Sequence, residues 1–204
     1  MAVTSNYEAP VKTIMDNKNA KLVIKSMLTG KIVVFPAFLT TFNQTFTSTW
    51  NEEDVYGRMD SIATFQNTKR QISLGFDLPA ATFVVAQDNL ENCDMLAQFL
   101  YPGYTKQSDG IGQVISRPPL VSVKFANLVS SGGGDASKQQ SGGALGYLSG
   151  LEWSPILDMG MFTDESGKLY PKVISLSFTL TVLHQGVKGF GDNNKFLSNG
   201  FFNP

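Results

Sequence analysis

The chain has 204 residues, of which 42% are apolar and 16% charged, with a formal net charge of -1. That length supports one hydrophobic core, alone or with extended arms, and a balance this close to neutral argues against a domain built to grip phosphate backbones. One cysteine and one histidine exclude an intrachain disulfide framework, a cysteine-rich zinc site and a histidine-cluster metal site. No cofactor or metal is therefore expected. The low charge leaves much of the surface to Ser, Thr, Asn, Gln and Gly, a composition that suits burial against partners. The opening MAVTSNYEAPVKT lacks the apolar core of a signal peptide, and no run approaches the roughly 18 apolar residues of a membrane span. Synthesis in the cytosol, with no membrane partner, is the expectation.

Residues 1–20 show no sustained period and read as an N-terminal arm. Residues 21–184 read as a single domain, and residues 185–204 as a C-terminal arm. Within the domain, Lys21 to Phe35 reads as a hairpin, with Leu22, Val23 and Ile24 before a Thr29-Gly30 turn and Ile32 to Phe35 after it. Pro36 stops that strand or marks an edge. From Phe38 to Trp50 the even positions run Phe, Thr, Phe, Gln, Phe, Ser, Trp, and from Thr41 the odd ones are Thr or Asn. Period two with one wholly polar face predicts a strand wet on one side. The acids Glu52, Glu53 and Asp54 follow, and then the Tyr56 to Asp60 turn.

Ile72, Leu74, Phe76 and Leu78, alternating with Ser73, Gly75 and Asp77, form the clearest early strand, which Pro79 ends. Thr82 is a predicted N-cap. From Phe83 to Leu100 the period changes, with Ala86, Leu90, Cys93, Ala97 and Leu100 on one helical face. Pro102-Gly103 terminates that helix. A polar loop over 105–112 precedes Arg117-Pro118-Pro119 and a strand from Leu120 to Leu128. Residues 130–143, from Ser130 to Gly143, form a low-complexity Gly-rich loop. Tyr147 to Trp153 resumes strand character, 155–170 is irregular, and Val173 to Leu183 is the strongest strand. Its core Ile174-Ser175-Leu176-Ser177-Phe178-Thr179-Leu180 resembles Ile72-Ser73-Leu74-Gly75-Phe76-Asp77-Leu78.

The fold class that follows is mainly β with one packed α-helix at about 83–100, a β-sandwich or open barrel, with a more even α+β domain as the alternative. Ser and Thr faces on the strands suit a sheet lining a wet channel.

No catalytic set emerges, and the chain is not expected to be an enzyme. His184 stands without a nucleophile elbow, and reads as structural or interfacial. Cys93 lies on the apolar helix face, where a thiol acts as a small hydrophobe. Glu52, Glu53, Asp54 and Asp60 admit a paired-carboxylate reading, but adjacent acids after a strand fit a solvated turn better. Arg58, Arg70 and Asp77 are candidates for contacts between subunits, since guanidinium forks suit carboxylates, with an ion pair inside one subunit as the alternative. Tyr56 and Asp60 share the Arg58 turn, and Phe190, Phe196, Phe201 and Phe202 are aromatics of the C-terminal arm that call for a docking partner.

The runs Val55-Tyr56-Gly57-Arg58-Met59-Asp60-Ser61-Ile62 and Asn67-Thr68-Lys69-Arg70-Gln71-Ile72-Ser73-Leu74-Gly75-Phe76 are followed by Asp88-Asn89-Leu90 and Leu96-Ala97-Gln98-Phe99-Leu100-Tyr101-Pro102-Gly103-Tyr104. Further blocks are Arg117-Pro118-Pro119-Leu120-Val121, Phe125-Ala126-Asn127-Leu128, Leu169-Tyr170-Pro171-Lys172 and Leu183-His184. In this order, over about residues 46–185, the chain resembles baseplate and tail-tube proteins of large contractile-tailed bacteriophages. The resemblance implies a tube-type fold, two β-sheets with a flanking helix, in six copies that form a homohexameric ring. It implies a structural virion protein with neighbouring tail-tube and baseplate proteins as partners, its lumen lined by Ser and Thr faces and passing DNA without reading it. The Gly-rich loop and aromatic C-terminal arm match no element of a plain tube subunit, which favours an initiator or junction ring. From a different class, a β-sandwich module binding glycans or a host surface through Trp50, Trp153 and Tyr56 is the alternative.

Overall fold

A computed structural model of the chain describes residues 21–36, 38–106, 113–126, 128–129, 142–185 and 188–196. The fold is mainly β with one α-helix among the described residues. Seven strands form one antiparallel sheet. In chain order they are β1 (Lys21–Ser26), β2 (Ile32–Pro36), β3 (Phe38–Glu53), β4 (Ile62–Pro79), β7 (Val121–Phe125), β8 (Ala144–Pro155) and β11 (Val173–Val182). The helix α1 (Phe83–Gln98) follows β4, and two small hairpins complete the fold, β5 (Gly103–Lys106) with β6 (Gln113–Arg117) and β9 (Met161–Thr163) with β10 (Leu169–Pro171).

The strand order is β2-β1-β7-β8-β11-β4-β3, so β2 and β3 are the two edges. Only one residue separates Pro36, the end of β2, from Phe38, the start of β3. The sheet must therefore curl until its edges come together. Ring contacts across the interior agree. Phe35 of β2 lies 5.4 Å from Phe76 of β4, and Phe42 of β3 lies 6.4 Å from Phe125 of β7. The edges are not hydrogen-bonded to each other, so the curl is an open one. The two packed sheets implied by the resemblance are here a single sheet folded over its own core.

That core is filled by alternate residues of β1, β2, β4, β7, β8 and β11, among them Leu22, Ile24, Val33, Phe35, Ile72, Leu74, Phe76, Leu78, Val123, Ile174, Leu176 and Leu180, with Leu39 and Phe42 of β3 packed against it. The two look-alike segments are neighbours. β4 and β11 pair antiparallel with Ile72 opposite Leu180, Leu74 opposite Phe178, Phe76 opposite Leu176 and Leu78 opposite Ile174. Both supply one apolar face to the same interior, and that shared task accounts for their likeness.

α1 starts where expected, with Val85 N–H donating to the Thr82 hydroxyl at 3.4 Å. Its buried face is displaced from the expected one. Val85, Ala86, Asn89, Asn92, Cys93 and Leu96 are buried, whereas Leu90 and Ala97 are only partly so. The stripe centres on 85, 89, 92 and 96, a set that contains two asparagines and so escapes a hydrophobicity pattern. Phe83 and Leu90 join Ala80, Val85, Ala86, Tyr170 and Phe162 in a smaller cluster under β9–β10, where the Phe83 and Tyr170 rings meet at 5.0 Å. The hairpins β5–β6 and β9–β10 fall in segments that the sequence presents as loop or irregular chain.

The even-residue face of β3 is also interrupted. A register shift between Leu39 and Thr41 turns Leu39 and Phe42 inward and leaves Phe38 exposed, opposite Asp77. A bulge re-aims side chains in this way because it inserts one unpaired residue into a period of two.

Candidate assembly interface

β11 ends at Val182, opposite Arg70 of β4. Beyond that point Ile62–Lys69 of β4 and Thr47–Glu53 of β3 pair only with each other. They leave the sheet as a two-stranded ribbon roughly 25 Å long at about 3.4 Å per residue. Nearly all of its residues are exposed. A second register shift, between Thr49 and Trp50, sets Trp50 opposite Phe65, and their rings meet edge-on at 5.3 Å while staying 54% and 52% exposed. Phe46 and Ile62 are exposed as well. An isolated two-stranded hairpin is at best marginally stable in water, so a ribbon this apolar calls for a partner.

The tip spans 54–61. Gly57 takes φ +88°, a conformation that suits glycine, and the Arg58 N–H donates to the Val55 carbonyl at 3.2 Å. Tyr56 and Met59 are fully exposed. Glu52 and Glu53 are paired strand residues, opposite Ala63 and Ile62, rather than part of the turn. Their side chains therefore leave opposite faces of the ribbon. With Asp54 and Asp60 exposed beside them, the acids form a solvated rim and no concave site.

The ribbon is rooted by Arg70. Its guanidinium donates twice to Gln44 Oε1, from Nε at 3.2 Å and Nη2 at 2.8 Å, and lies 5.7 Å from the Phe46 ring centroid. Gln44 Nε2 in turn donates to the Leu128 carbonyl at 3.1 Å, across the curl of the sheet. Arg70 is 3% exposed, and burial lowers its pKa below the ordinary value. Of the two readings of Arg70, a contact with another subunit and a contact inside its own chain, the hydrogen bonds to Gln44 are of the second kind. Arg70 is held inside its own chain because β11 and β3 flank it on both sides. Gln44, one of the polar residues of β3, gives no local signal of this role.

The remaining candidates divide clearly. Tyr56, Arg58 and Asp60 come together at the tip. Asp77 is distant from them along β4, half-buried on the outer face opposite Ser175. Phe190 and Phe196 pair with each other through a β-bridge, rings 5.3 Å apart, with Phe190 largely exposed. Phe201 and Phe202 lie outside the described residues, as do 1–20 and 130–141.

On the outer face, cross-strand rows carry hydroxyls and small side chains. Asn43, Ser73, Thr179 and Ser149 form one row, and Thr41, Gly75, Ser177 and Glu152 form the next. Ser73 and Thr179 hydroxyls lie 3.2 Å apart, and Ser177 Oγ donates to Glu152 Oε2 at 3.4 Å. An open trough of about 330 Å³ runs over Thr41, Ser73, Gly75, Ser175, Ser177 and Thr179. Such a surface can hold water and offers little fixed charge.

Compared with known proteins, the chain matches no family model and no curated protein.

The chemistry-bearing residues have structural surroundings. Cys93 is buried under the Trp153 side chain, which hydrogen-bonds to it, yet burial outweighs that bond and pushes the thiol pKa up to about 12. His184 is held below its usual pKa by burial first, then by Lys188 and Arg70. Among the described residues no cluster of His, Cys, Asp and Glu is arranged to hold a metal. No helix among them is long and apolar enough to cross a membrane. The three aromatics of the glycan-binding alternative are all exposed. Trp50 is on the ribbon, Tyr56 at its tip, and Trp153 beside the helix thiol.

Proposed function

We propose that this chain is a structural subunit of a self-assembling ring, homohexameric, at the junction of tail tube and baseplate in a contractile-tailed bacteriophage, with DNA passing through the lumen. The observation that carries the reading is the β3–β4 ribbon, which places Phe46, Trp50, Tyr56, Met59, Ile62 and Phe65 in solvent. Covering one such large apolar side chain contributes about 1.5–3 kcal/mol, so several of them supply a strong drive to assemble. Heterologous contacts that close by rotation give rings. The hydroxyl-lined outer face of β3, β4, β11 and β8 supports a lumen role, because a wall of Ser and Thr hydrates a passing polyanion without neutralising its phosphates.

The ring has no catalytic task in this reading. Its partners are copies of itself and the tube and baseplate rings above and below, and its place is the virion. Electron microscopy of the purified chain, and of particles that contain it, tests the reading. Rings with a central hole and six-fold symmetry are expected. A chain that stays monomeric at high concentration and instead binds an oligosaccharide overturns it.

A further inference from the structure

We propose that the free edge of β3 pairs antiparallel with the same edge of a second copy, joining the two ribbons into one four-stranded sheet about a twofold axis at Ser48. The proposal goes beyond the ring reading and does not depend on it. An isologous contact closes with two copies, and edge pairing leaves both faces of each ribbon open to other neighbours.

The sheet ends at β2 on one side and at β3 on the other. β2 is short, ends in Pro36 and has α1 packed against it, all of which keep an edge from pairing. β3 has none of these protections. Among the described residues it pairs with β4 alone, and from Thr45 to Glu53 every residue is exposed except the half-buried Thr49. That stretch, TFTSTWNEE, holds no Pro, Gly, Lys or Arg. It is also unbroken. One register shift has its extra residue at Thr40, before this stretch. The other has it at Gln66 on β4, because Thr49 faces Asn67 and Trp50 faces Phe65. A regular edge of Thr and aromatic residues is a template whose outward N–H and C=O groups call for another strand.

The side chains decide which strand fits. Phe46, Ser48 and Trp50 share one face of β3, as alternate residues do. In an antiparallel pair centred on Ser48, Phe46 of one copy lies opposite Trp50 of the other, and Thr47 opposite Thr49, each twice by symmetry. Within one copy Arg70 lies 5.7 Å from the Phe46 ring centroid, and the Trp50 and Phe65 rings meet at 5.3 Å. The pairing joins these two contacts into a single row across four strands: Arg70, Phe46, then Trp50 and Phe65 of the second copy. Cross-strand aromatic pairs of this kind stabilise a sheet, and no other twofold register of two β3 edges sets Phe46 opposite Trp50. Glu52 and Glu53 end the strand. Antiparallel pairing keeps the acids of the two copies at opposite ends, whereas parallel pairing would set them side by side.

The test is a cysteine at the axis. Directly opposite residues of an antiparallel pair have Cα atoms about 4.5–5.5 Å apart, within the span of a disulfide. The full-length Ser48→Cys variant, treated with a mild copper oxidant, is therefore expected to run as a covalent dimer without reductant. Thr45→Cys is the control, because its two copies would stand about 20 Å apart along the strands at about 3.4 Å per residue, and it is expected to stay single. Ser48→Lys places two ammonium groups side by side at the axis, and sedimentation velocity is expected to find pairing at least about tenfold weaker than in the wild type. Thermal unfolding verifies that the variants fold. Should Ser48→Cys fail to fold, an equimolar mixture of Thr47→Cys and Thr49→Cys takes its place and is expected to cross-link between the two variants. A folded Ser48→Cys that cross-links no faster than Thr45→Cys overturns the edge pairing and leaves the ring reading intact. Cross-linked dimers from a chain that never forms rings uphold the pairing and overturn the ring.

Discussion

The rings of Phe35 and Phe76 meet at 5.4 Å although their strands stand at the first and sixth places of a seven-stranded sheet. Only a sheet curled over a shared interior brings them together, and both side chains are fully buried there. Phe76 also packs edge-on to Phe178 of its neighbour β11, at 6.2 Å. Phe76→Ala removes contacts to both sides of the curl, and its expected cost is about 3–5 kcal/mol. Urea unfolding followed by tryptophan fluorescence measures it, and a loss below about 1 kcal/mol contradicts the packing.

Gly146 of β8 gives a sharper test of the same sheet. A Cβ at this position would run into the Thr181 carbonyl oxygen on β11 and press on Leu180 Cδ1. Backbone cannot yield as a side-chain end does, so Gly146→Ala is expected to destabilise by about 1–3 kcal/mol. Gly150→Ala, which meets nothing within 4 Å but sits at φ +63°, separates crowding from backbone strain. Denaturation midpoints of the two variants, compared side by side, decide which effect dominates.

Cys93 is expected to be inert in the native protein. Its thiol pKa is raised to about 12, and the thiolate is the reactive species. A thiol-specific chromogenic reagent at mildly alkaline pH should report no reaction until denaturant is added, then one thiol per chain. Rapid labelling of the folded protein would place Cys93 somewhere other than beneath Trp153.

His184 links folding to pH. Its folded pKa lies below the ordinary 6.5, so the unfolded chain takes up the proton first as pH falls. The contribution of this group to stability is thus complete above about 6.5 and declines as pH drops from there toward the folded value. His184→Gln should flatten the decline between neutral and mildly acidic pH. Denaturation midpoints taken across that range test the sign, and a wild type that becomes more stable on acidification through it contradicts the assignment.

Removing the ribbon should separate folding from assembly. Phe46 and Arg70 are paired, so replacing residues 47–69 by Asn-Gly closes the strands with a favoured two-residue turn. The core loses nothing, and the unfolding free energy should change by less than about 1 kcal/mol. If the proposed ring forms through the ribbon, light scattering should find oligomers of the full chain and a monomer of the shortened one.

Period-two alternation was legible at once in Ile72 to Leu78 and Val173 to Leu183, because a strand that lends one face to a core must alternate. Their likeness also anticipated a common task, which their direct pairing bears out. Thr82 was readable as a cap for a related reason, since a capping hydroxyl acts within three residues of itself. The buried face of α1 was less legible. Asn89 and Asn92 are polar by composition, and only the sheet packed against them makes them interior residues. The outward turn of Phe38 and the pairing of Trp50 with Phe65 depend on bulges, each one extra residue that reverses the parity of everything beyond it.

Sequence alone therefore determined the elements that rest on local periods and caps: the long strands, the β1–β2 hairpin and the start of the helix. Tertiary structure decided which stretch of strand lies inside the sheet and which extends past it. The same alternating chain is core where β11 runs beside β4 and exposed ribbon where β11 has ended. Arg70, at that boundary, turned from a candidate for outside contacts into the buried root of the ribbon. The cause is physical: burial belongs to the neighbours a residue acquires, and those neighbours lie tens of residues away in the chain.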